Sequence, residues 1–162
     1  MKRFEDNLKN VDSMRVLTDI AMTNITNYLV QNDKEKTFAL ISIGGYVESL
    51  YLAFNLVGGY NEKSLIIQRI SDQKLVLENL MGYSLKYSGD PNVAESIKLL
   101  HPIRACYNEL VVKESETIVK KDNSGKLIIS GGQMITITPE QYQKLKDVTF
   151  AVSKSITENL EN

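Results

Sequence analysis

The sequence contains one cysteine, Cys106, and one histidine, His101, among its 162 residues. One cysteine cannot form an intramolecular disulfide, and one cysteine with one histidine cannot supply the ligands of a structural zinc site. The fold must therefore come from the burial of apolar side chains, and we expect no metal or other cofactor.

The chain also lacks an excess of charge of either sign. Nineteen Lys and Arg residues stand against twenty Asp and Glu residues, which gives a net charge of −1. A field this weak does not attract nucleic acid, so we expect no nucleic-acid partner. Apolar residues make up 43% and charged residues 24%, as in ordinary globular proteins. This length predicts one domain over residues 1–162.

The opening residues, MKRFEDNLKN, lack the apolar region that follows the basic start of an export signal. The chain is therefore expected to be cytoplasmic, or else a mature piece of an exported precursor. The residues do not separate these two compartments.

Apolar residues recur at helical spacing in five segments, which predicts an all-α bundle. The predicted helices cover residues 11–30, 33–57, 65–83 and 90–112, and a last one runs from 139 almost to residue 162. In the first helix Asp12 or Ser13 is the expected N-cap, and Met14, Leu17, Ala21, Ile25 and Tyr28 recur every three or four positions, which predicts an amphipathic helix. Asp90 is the expected N-cap of the fourth helix, in which Pro102 predicts a kink or a break.

Residues 114–138 change to alternating and β-branched residues, which predicts a small β-hairpin inserted before the last helix. Its turn is expected at residues 122–125, with Gly131 and Gly132 marking a bulge or a bend. Thr138 as N-cap, Pro139 at the first helical position and Gln141 form a capping box at the start of the last helix.

Residues 38–57 form the most apolar stretch, which is long enough to cross a bilayer. Near its centre lies Glu48, and a charge at that depth costs about 3 kcal/mol. The Gly-Gly-Tyr triplet has neither the lysine nor the spacing of a phosphate-binding loop. We therefore expect no transmembrane span but a helix buried on all sides, in which Gly44 and Gly45 let another helix approach closely.

Six polar residues interrupt the predicted apolar faces of three helices: Glu48, Arg69, Gln73, His101, Arg104 and Asn108. An unpaired buried carboxylate is costly, so Glu48 is expected to pair with Arg69 or Arg104, and its loss to cost several kcal/mol. The cluster is either a ligand-binding or catalytic pocket, with Glu48 and His101 as acid or base, or a structural network. The sequence lacks an accompanying nucleophile, a second histidine and metal-ligand spacing, which favours the network and assigns no catalytic residue.

The run His101-Pro-Ile-Arg104 resembles the phosphoacceptor helix of sensor histidine kinases. The ATP-binding boxes of those kinases do not occur in this sequence, so phosphotransfer is the least favoured hypothesis. Cys106, in the same apolar helix, is expected to be a core side chain rather than a nucleophile.

The segment GGYVESLYLA, with DQKLVLENLMGYSL and ITITPEQ, resembles a group of envelope lipoproteins common in Bacteroidetes. The recurring Gly-Gly-aromatic-hydrophobic-Glu-x-Leu-Tyr motif of that group falls on Gly44, Gly45, Tyr46, Val47, Glu48, Leu50 and Tyr51. Tyr46 stands where the group has tryptophan. The resemblance implies the C-terminal part of a precursor anchored in the periplasm or at the outer membrane, and it implies no activity.

The leading hypothesis is a non-catalytic helical module that binds a partner, at the envelope if the resemblance holds. The partner is a protein, a small molecule or a second copy of the chain in a homo-oligomer. The alternatives are a small-molecule sensor or enzyme that uses the six-residue polar cluster, and a histidine-phosphotransfer bundle.

Overall fold

The structure, a computed structural model, describes residues 10–121 and 127–158. The elements follow in the order α1 (Val11–Gln31), α2 (Glu35–Val57), α3 (Leu65–Leu85), α4 (Pro91–Asn108), β1 (Val111–Lys121), β2 (Leu127–Thr136) and α5 (Pro139–Glu158). The prediction of an all-α bundle of five helices with a small hairpin before the last one is confirmed. The turn predicted at residues 122–125 lies outside the described residues.

Capping side chains define where most of the helices start. The side chain of Asn10 accepts a hydrogen bond from the backbone N–H of Ser13 at 3.0 Å, so the cap of α1 is Asn10 rather than Asp12 or Ser13. Asp90 caps α4 as predicted, with Pro91 at the first helical position. At α5 the predicted capping box is confirmed: Thr138 N–H donates to Gln141 Oε1 at 3.0 Å, and Gln141 N–H donates to Thr138 Oγ1 at 3.3 Å.

Helix α4 is continuous through Pro102, so the predicted break is absent. The proline has no N–H, and the carbonyl of Lys98 therefore lacks the hydrogen bond that a helical residue four positions later donates. The helix ends at Asn108, before the predicted residue 112, because Val111 and Val112 are β-branched and enter strand β1.

The hairpin pairs β1 with β2 antiparallel, from Val111 opposite Thr136 to Lys121 opposite Leu127. The register shifts between Ser115 and Ile118, opposite the Gly131–Gly132 segment where a bulge or a bend was predicted. Two side-chain bonds join the open end of the hairpin to α3 and to the loop before it. Gln68 Nε2 donates to the carbonyl of Ile135 at 3.2 Å, and the Tyr60 hydroxyl donates to that of Ile137 at 2.9 Å.

The core lies where α2, α3, α4 and α5 meet, and the base of the hairpin closes one side of it. Hydrogen bonds from two buried tyrosine hydroxyls connect three of these helices. From α2, Tyr46 donates to the carbonyl of Gln73 at 3.3 Å, and from α4, Tyr107 donates to that of Ile70 at 2.8 Å. Burial raises the pKa of both phenols, so they stay protonated donors.

The prediction that α2 is buried on every side is wrong. One face is in the core, and the opposite one, the α2 outer face, is exposed; it consists of Ile41, Gly45, Glu48, Ser49, Leu52, Asn55 and Leu56. Ile41 is 49% exposed, Leu52 51% and Leu56 77%. The reason is that α3, α4 and α5 all pack against the same side of α2. By length and composition α2 is the one helix among the described residues that could cross a membrane, a test that core helices also pass.

Helix α1 packs on α2, but Leu29 is its one buried residue among those whose side chains are described. The apolar residues that recur along this helix are called the α1 stripe and are only partly covered by the described residues: Met14, Leu17, Ala21, Ile25 and Tyr28. Ile25 is 45% exposed and Tyr28 56%. The periodic pattern predicted the helix correctly, and its apolar stripe stays partly exposed.

Candidate functional site

The structure does not assemble the predicted polar cluster. Glu48 is exposed on the α2 outer face, at the edge of an open cleft of about 530 Å³ that Tyr51, Phe150 and Lys154 also line. No ion pair joins Glu48 to Arg69 or Arg104, whose carboxylate partners are other residues. The predicted buried pairing of Glu48 is therefore wrong.

Two of the predicted site residues do lie together. Arg69 and Gln73 line a groove of about 300 Å³ between α2 and α3, with Ser49 and Ala53 on the opposite wall. Arg69 is exposed and contacts Asp72, one turn along the same helix, at 3.8 Å. Arg69 is the one charged residue among those that line this groove, and the wall formed by α2 carries no charge that would help to select a ligand.

Arg104 forms a bidentate ion pair with Glu78 of α3, with its Nε and Nη2 atoms at 2.8 and 2.7 Å from the two carboxylate oxygens. The bonds from Arg104 hold the pKa of Glu78 below its ordinary value. Sequence reasoning missed Glu78 because its partner lies on another helix. His101 and Asn108 are exposed on α4, apart from this pair.

These polar residues reach water because they lie at the borders of the apolar faces rather than at their centres. A long arginine side chain can lay its methylene groups on apolar surface and keep its guanidinium in solvent. Residues 10–121 and 127–158 contain no group of three His, Cys, Asp or Glu side chains that could hold a metal ion. Cys106 is buried in the core, and burial raises the pKa of its thiol, so it is a poor nucleophile.

The expected close helix approach at Gly44 and Gly45 is also absent. A Cβ atom added at either glycine would meet no atom within 4 Å. Gly45 lies on the exposed α2 outer face, where none of the described helices passes over it.

A concave surface lies between α4 and α5, and we call it the α4–α5 groove. It is an open groove of about 800 Å³. Five of its lining residues are apolar, and we call them its floor: Leu99, Pro102, Val148, Ala151 and Val152. The other five are polar or charged, and we call them its rim: Asn92, Glu95, Ser96, Lys98 and Ser155. The sequence signals were the helical Pro102, which predicted only a kink or a break, and the small Ala151 and Ser155 one turn apart, which sequence reasoning missed.

The two walls of this groove are antiparallel helices joined at their far end. There Glu109, which caps α4, is contacted by Lys144 of α5 at 2.5 Å, and its carbonyl accepts a bond from Gln141 Nε2 at 2.7 Å. At the open end, Glu95 and Lys98 neutralise each other across 2.6 Å on the rim. The groove is thus apolar at its floor and without net charge at its edge.

No family model matches the chain, and neither a curated protein nor a solved structure matches it. Function is therefore inferred from the surfaces of the molecule itself.

Proposed function

We propose that the protein is a non-catalytic binding module whose α4–α5 groove binds an apolar helical segment of a partner protein. The observation that carries this proposal is an open groove between two helices, lined by five apolar residues and five polar or charged ones. Enclosed pockets suit small molecules, whereas an open channel between two helices suits the apolar face of a third helix.

The dimensions of the groove support a helical ligand. On α4 the lining residues run from Asn92 to Pro102, and on α5 from Val148 to Ser155. Ten helical steps correspond to about 15 Å, the length of roughly three turns of a bound helix. The expected ligand is therefore an amphipathic segment of about ten residues with apolar side chains at i, i+3, i+4 and i+7.

Two details of the groove bear on the ligand. Ala151 and Ser155 are small and one turn apart on α5, so the backbone of a bound helix can come close there. The carbonyl of Lys98, left without a helical donor by Pro102, offers an acceptor at the rim. A serine, threonine or asparagine side chain of the ligand is the matching donor.

The alternative of a sensor or enzyme loses its support, because the six residues proposed for it do not form one site. Glu48 lines one cleft, Arg69 and Gln73 line a different groove, and the other three are exposed on α4. Envelope location stays part of the proposal and rests on the resemblance to the lipoprotein group. An upstream export signal with a lipid-attachment cysteine in the full-length gene product would support it, and a cytoplasmic chain found by fractionation would contradict it.

The experiment is a selection of displayed amphipathic helical 12-residue peptides against the wild-type protein. Affinities of the selected peptides are then measured by fluorescence anisotropy. Ala151→Trp, which fills the floor, is expected to weaken binding at least tenfold. Ala105→Trp is the matched control, because Ala105 is exposed on α4 and does not line the groove.

Peptides whose binding is equally strong with Ala151→Trp, or no enrichment over that variant, would overturn the proposal. Peptide-induced amide chemical-shift changes confined to α4 and α5 around Leu99 and Val152 would place the ligand in the groove.

One observation favours a second candidate, histidine phosphotransfer. His101 is exposed in the middle of α4, and its neighbour Pro102 lines the groove where another protein could dock. Incubation with phosphoramidate, which transfers its phosphoryl group to imidazole nitrogen and releases ammonia, would label His101, and His101→Gln would abolish an acid-labile phosphohistidine signal. A wild-type protein that stays unlabelled excludes this candidate.

A further inference from the structure

The α1 stripe is an apolar surface that the described residues cover only in part. Ile25 and Tyr28 are each about half exposed, and Met14, Leu17 and Ala21 are only half-buried. No charged residue occurs from Ile20 to Gln31. Most of the stability of a helix in a protein comes from packing its apolar face, so a helix this bare is poorly stabilised as a monomer.

The α2 outer face is uncovered at the same time. It presents Ile41, Leu52 and Leu56 around Gly45, and Glu48 is its single charge. The space above Gly45 is open to 4 Å, so a helix could approach the backbone there. Few charges and large apolar side chains are typical of the centre of a protein interface rather than of free surface.

We propose that two copies of this chain form a dimer in which the α1 stripe of each copy packs on the α2 outer face of the other. The two faces lie on helices that are joined by one short connection, Asn32–Lys34. If each copy places its α1 on the α2 of the other copy, the same contact forms twice, related by a two-fold axis. Within that connection Asp33 has φ 54°, a left-handed conformation unusual for a residue with a side chain. Short strained connections of this kind favour exchange between copies over closure within one.

The available area fits a stable dimer. Ile25, Tyr28, Ile41, Leu52 and Leu56, with the half-buried part of the α1 stripe, offer apolar area equal to about four full side chains, on the order of 400 Å². A standard interface buries about 800 Å² on each partner, of which a little over half, about 450 Å², is apolar. The two uncovered faces together therefore supply about what one dimer needs.

Light scattering coupled to size exclusion tests the dimer. Wild-type protein is expected at about twice the 18.3 kDa chain mass, and Ile25→Glu or Leu52→Glu at the chain mass. Val16→Glu is the matched control, because Val16 is 55% exposed on α1 but lies outside the stripe, and it should stay dimeric. All three positions are exposed, and circular dichroism would verify that each variant is folded. Wild-type protein at the mass of one chain overturns the proposal.

Disulfide trapping then identifies which faces meet. Ala21 and Gly45 lie twelve residues before and after Asp33, so they oppose each other when α1 runs antiparallel to α2. A mixture of Ala21→Cys and Gly45→Cys chains should give a covalent dimer on oxidation. The wild-type chain, with only the buried Cys106, should give none.

Two results of the trapping experiment would contradict the exchange. A covalent dimer from Ala21→Cys alone would place α1 against α1. A monomeric disulfide in the doubly substituted chain, with none in the mixture, would mean that α1 closes on its own α2. None of these residues lines the α4–α5 groove, so the outcome is independent of whether that groove binds a partner.

Discussion

Glu48 shows how much the cost of a charge depends on which face of a helix carries it. In the structure the carboxylate points to water from the α2 outer face, on the side of α2 opposite the core. A hydrated carboxylate needs no arginine, and the guanidinium of Arg104 is bound by Glu78 instead. The apolar residues around Glu48 in sequence therefore say little about its surroundings in space.

Glu48→Ala is expected to change the free energy of unfolding by no more than about 0.5 kcal/mol, as is usual for exposed positions. Ile43→Ala, at a core position of the same helix, should cost about 2–5 kcal/mol. Urea unfolding followed by circular dichroism compares them. A loss of several kcal/mol for Glu48→Ala would contradict the exposed position of this carboxylate and support the buried ion pair predicted from the sequence.

Thr138→Ala removes one half of the capping box that starts α5. The expected loss of stability is about 1 kcal/mol, because the N–H of Gln141 loses its acceptor. Thr138→Ser keeps the hydroxyl oxygen and should lose much less. Equal unfolding midpoints for the alanine variant and the wild type would show that water caps this helix as well as threonine does.

The ion pair of Glu78 with Arg104 predicts a pH dependence. The pKa of Glu78 is lowered from 4.5, chiefly by its hydrogen bonds from Arg104, so folding favours its ionised form. The pair therefore stabilises the fold above about pH 4.5, and this contribution is lost as the pH falls through the lowered value. The effect is small because both side chains are more than a third exposed.

Thermal unfolding of Glu78→Gln measures this contribution. The variant should unfold at a lower temperature than wild type at pH 7, and the difference should shrink toward pH 3. Glu62→Gln, in the exposed loop between α2 and α3, is the control. A difference that persists unchanged in acid would assign the effect to packing of the side chain rather than to its charge.

At the scale of the element, α2 combines a core face with an exposed apolar face. The apolar pattern alone cannot separate such a helix from one that is buried all round, since both lack a polar side. Its glycines also differ in role although they look alike in the sequence. Gly58 ends the helix with φ 71°, whereas Gly44 lies inside the helix and a Cβ atom added there would meet no atom within 4 Å. One glycine is required by backbone geometry, and the other is not required by any contact of the described chain.

Gly44→Ala should stabilise α2 by up to about 1 kcal/mol, because alanine is the better helix former and its Cβ meets no atom. Gly58→Ala should destabilise by about 1–2 kcal/mol, because a side chain disfavours positive φ. Chemical denaturation of both variants and the wild type measures the two changes in the free energy of unfolding. Each variant is the control for the other, because the same substitution is expected to have opposite effects at the two positions. Destabilisation by Gly44→Ala would indicate a close neighbour at this position.

At the scale of the whole molecule, the helices divide into a core of α2 to α5 and a peripheral α1. Helix α1 contributes little to the core. Among its residues whose side chains are described, Leu29 is the one that is buried. Stability and association should therefore be separable properties of this chain.

Deletion of residues 1–24 keeps Leu29 and removes most of the α1 stripe. The shortened chain is expected to unfold cooperatively, with helical circular dichroism and a thermal midpoint within about 5 °C of the monomeric Ile25→Glu variant, a shift that corresponds to roughly 1 kcal/mol. It should also run as a monomer. Loss of cooperative unfolding would show that α1 is part of the core.

The sequence by itself determined the class of fold, because its signals are local. Helical periodicity, the Asp90 cap, the box of Thr138 with Gln141 and the glycine after Val57 each involve residues within a few positions of one another. Local backbone energetics respond to such short spacings, so these features were correct in the structure. The β-branched run before the last helix likewise predicted the hairpin.

Only the tertiary structure decided which faces are covered. The pairing of Arg104 with Glu78, the exposure of Glu48 and the α1 stripe, and the α4–α5 groove all depend on how helices distant in sequence are placed. Burial is a property of two surfaces in contact, and a sequence pattern describes only one of them. The candidate sites of this protein lie on surfaces where two helices meet. The pattern of one helix predicts which side chains it contributes, but it does not predict which side chains of another helix lie beside them.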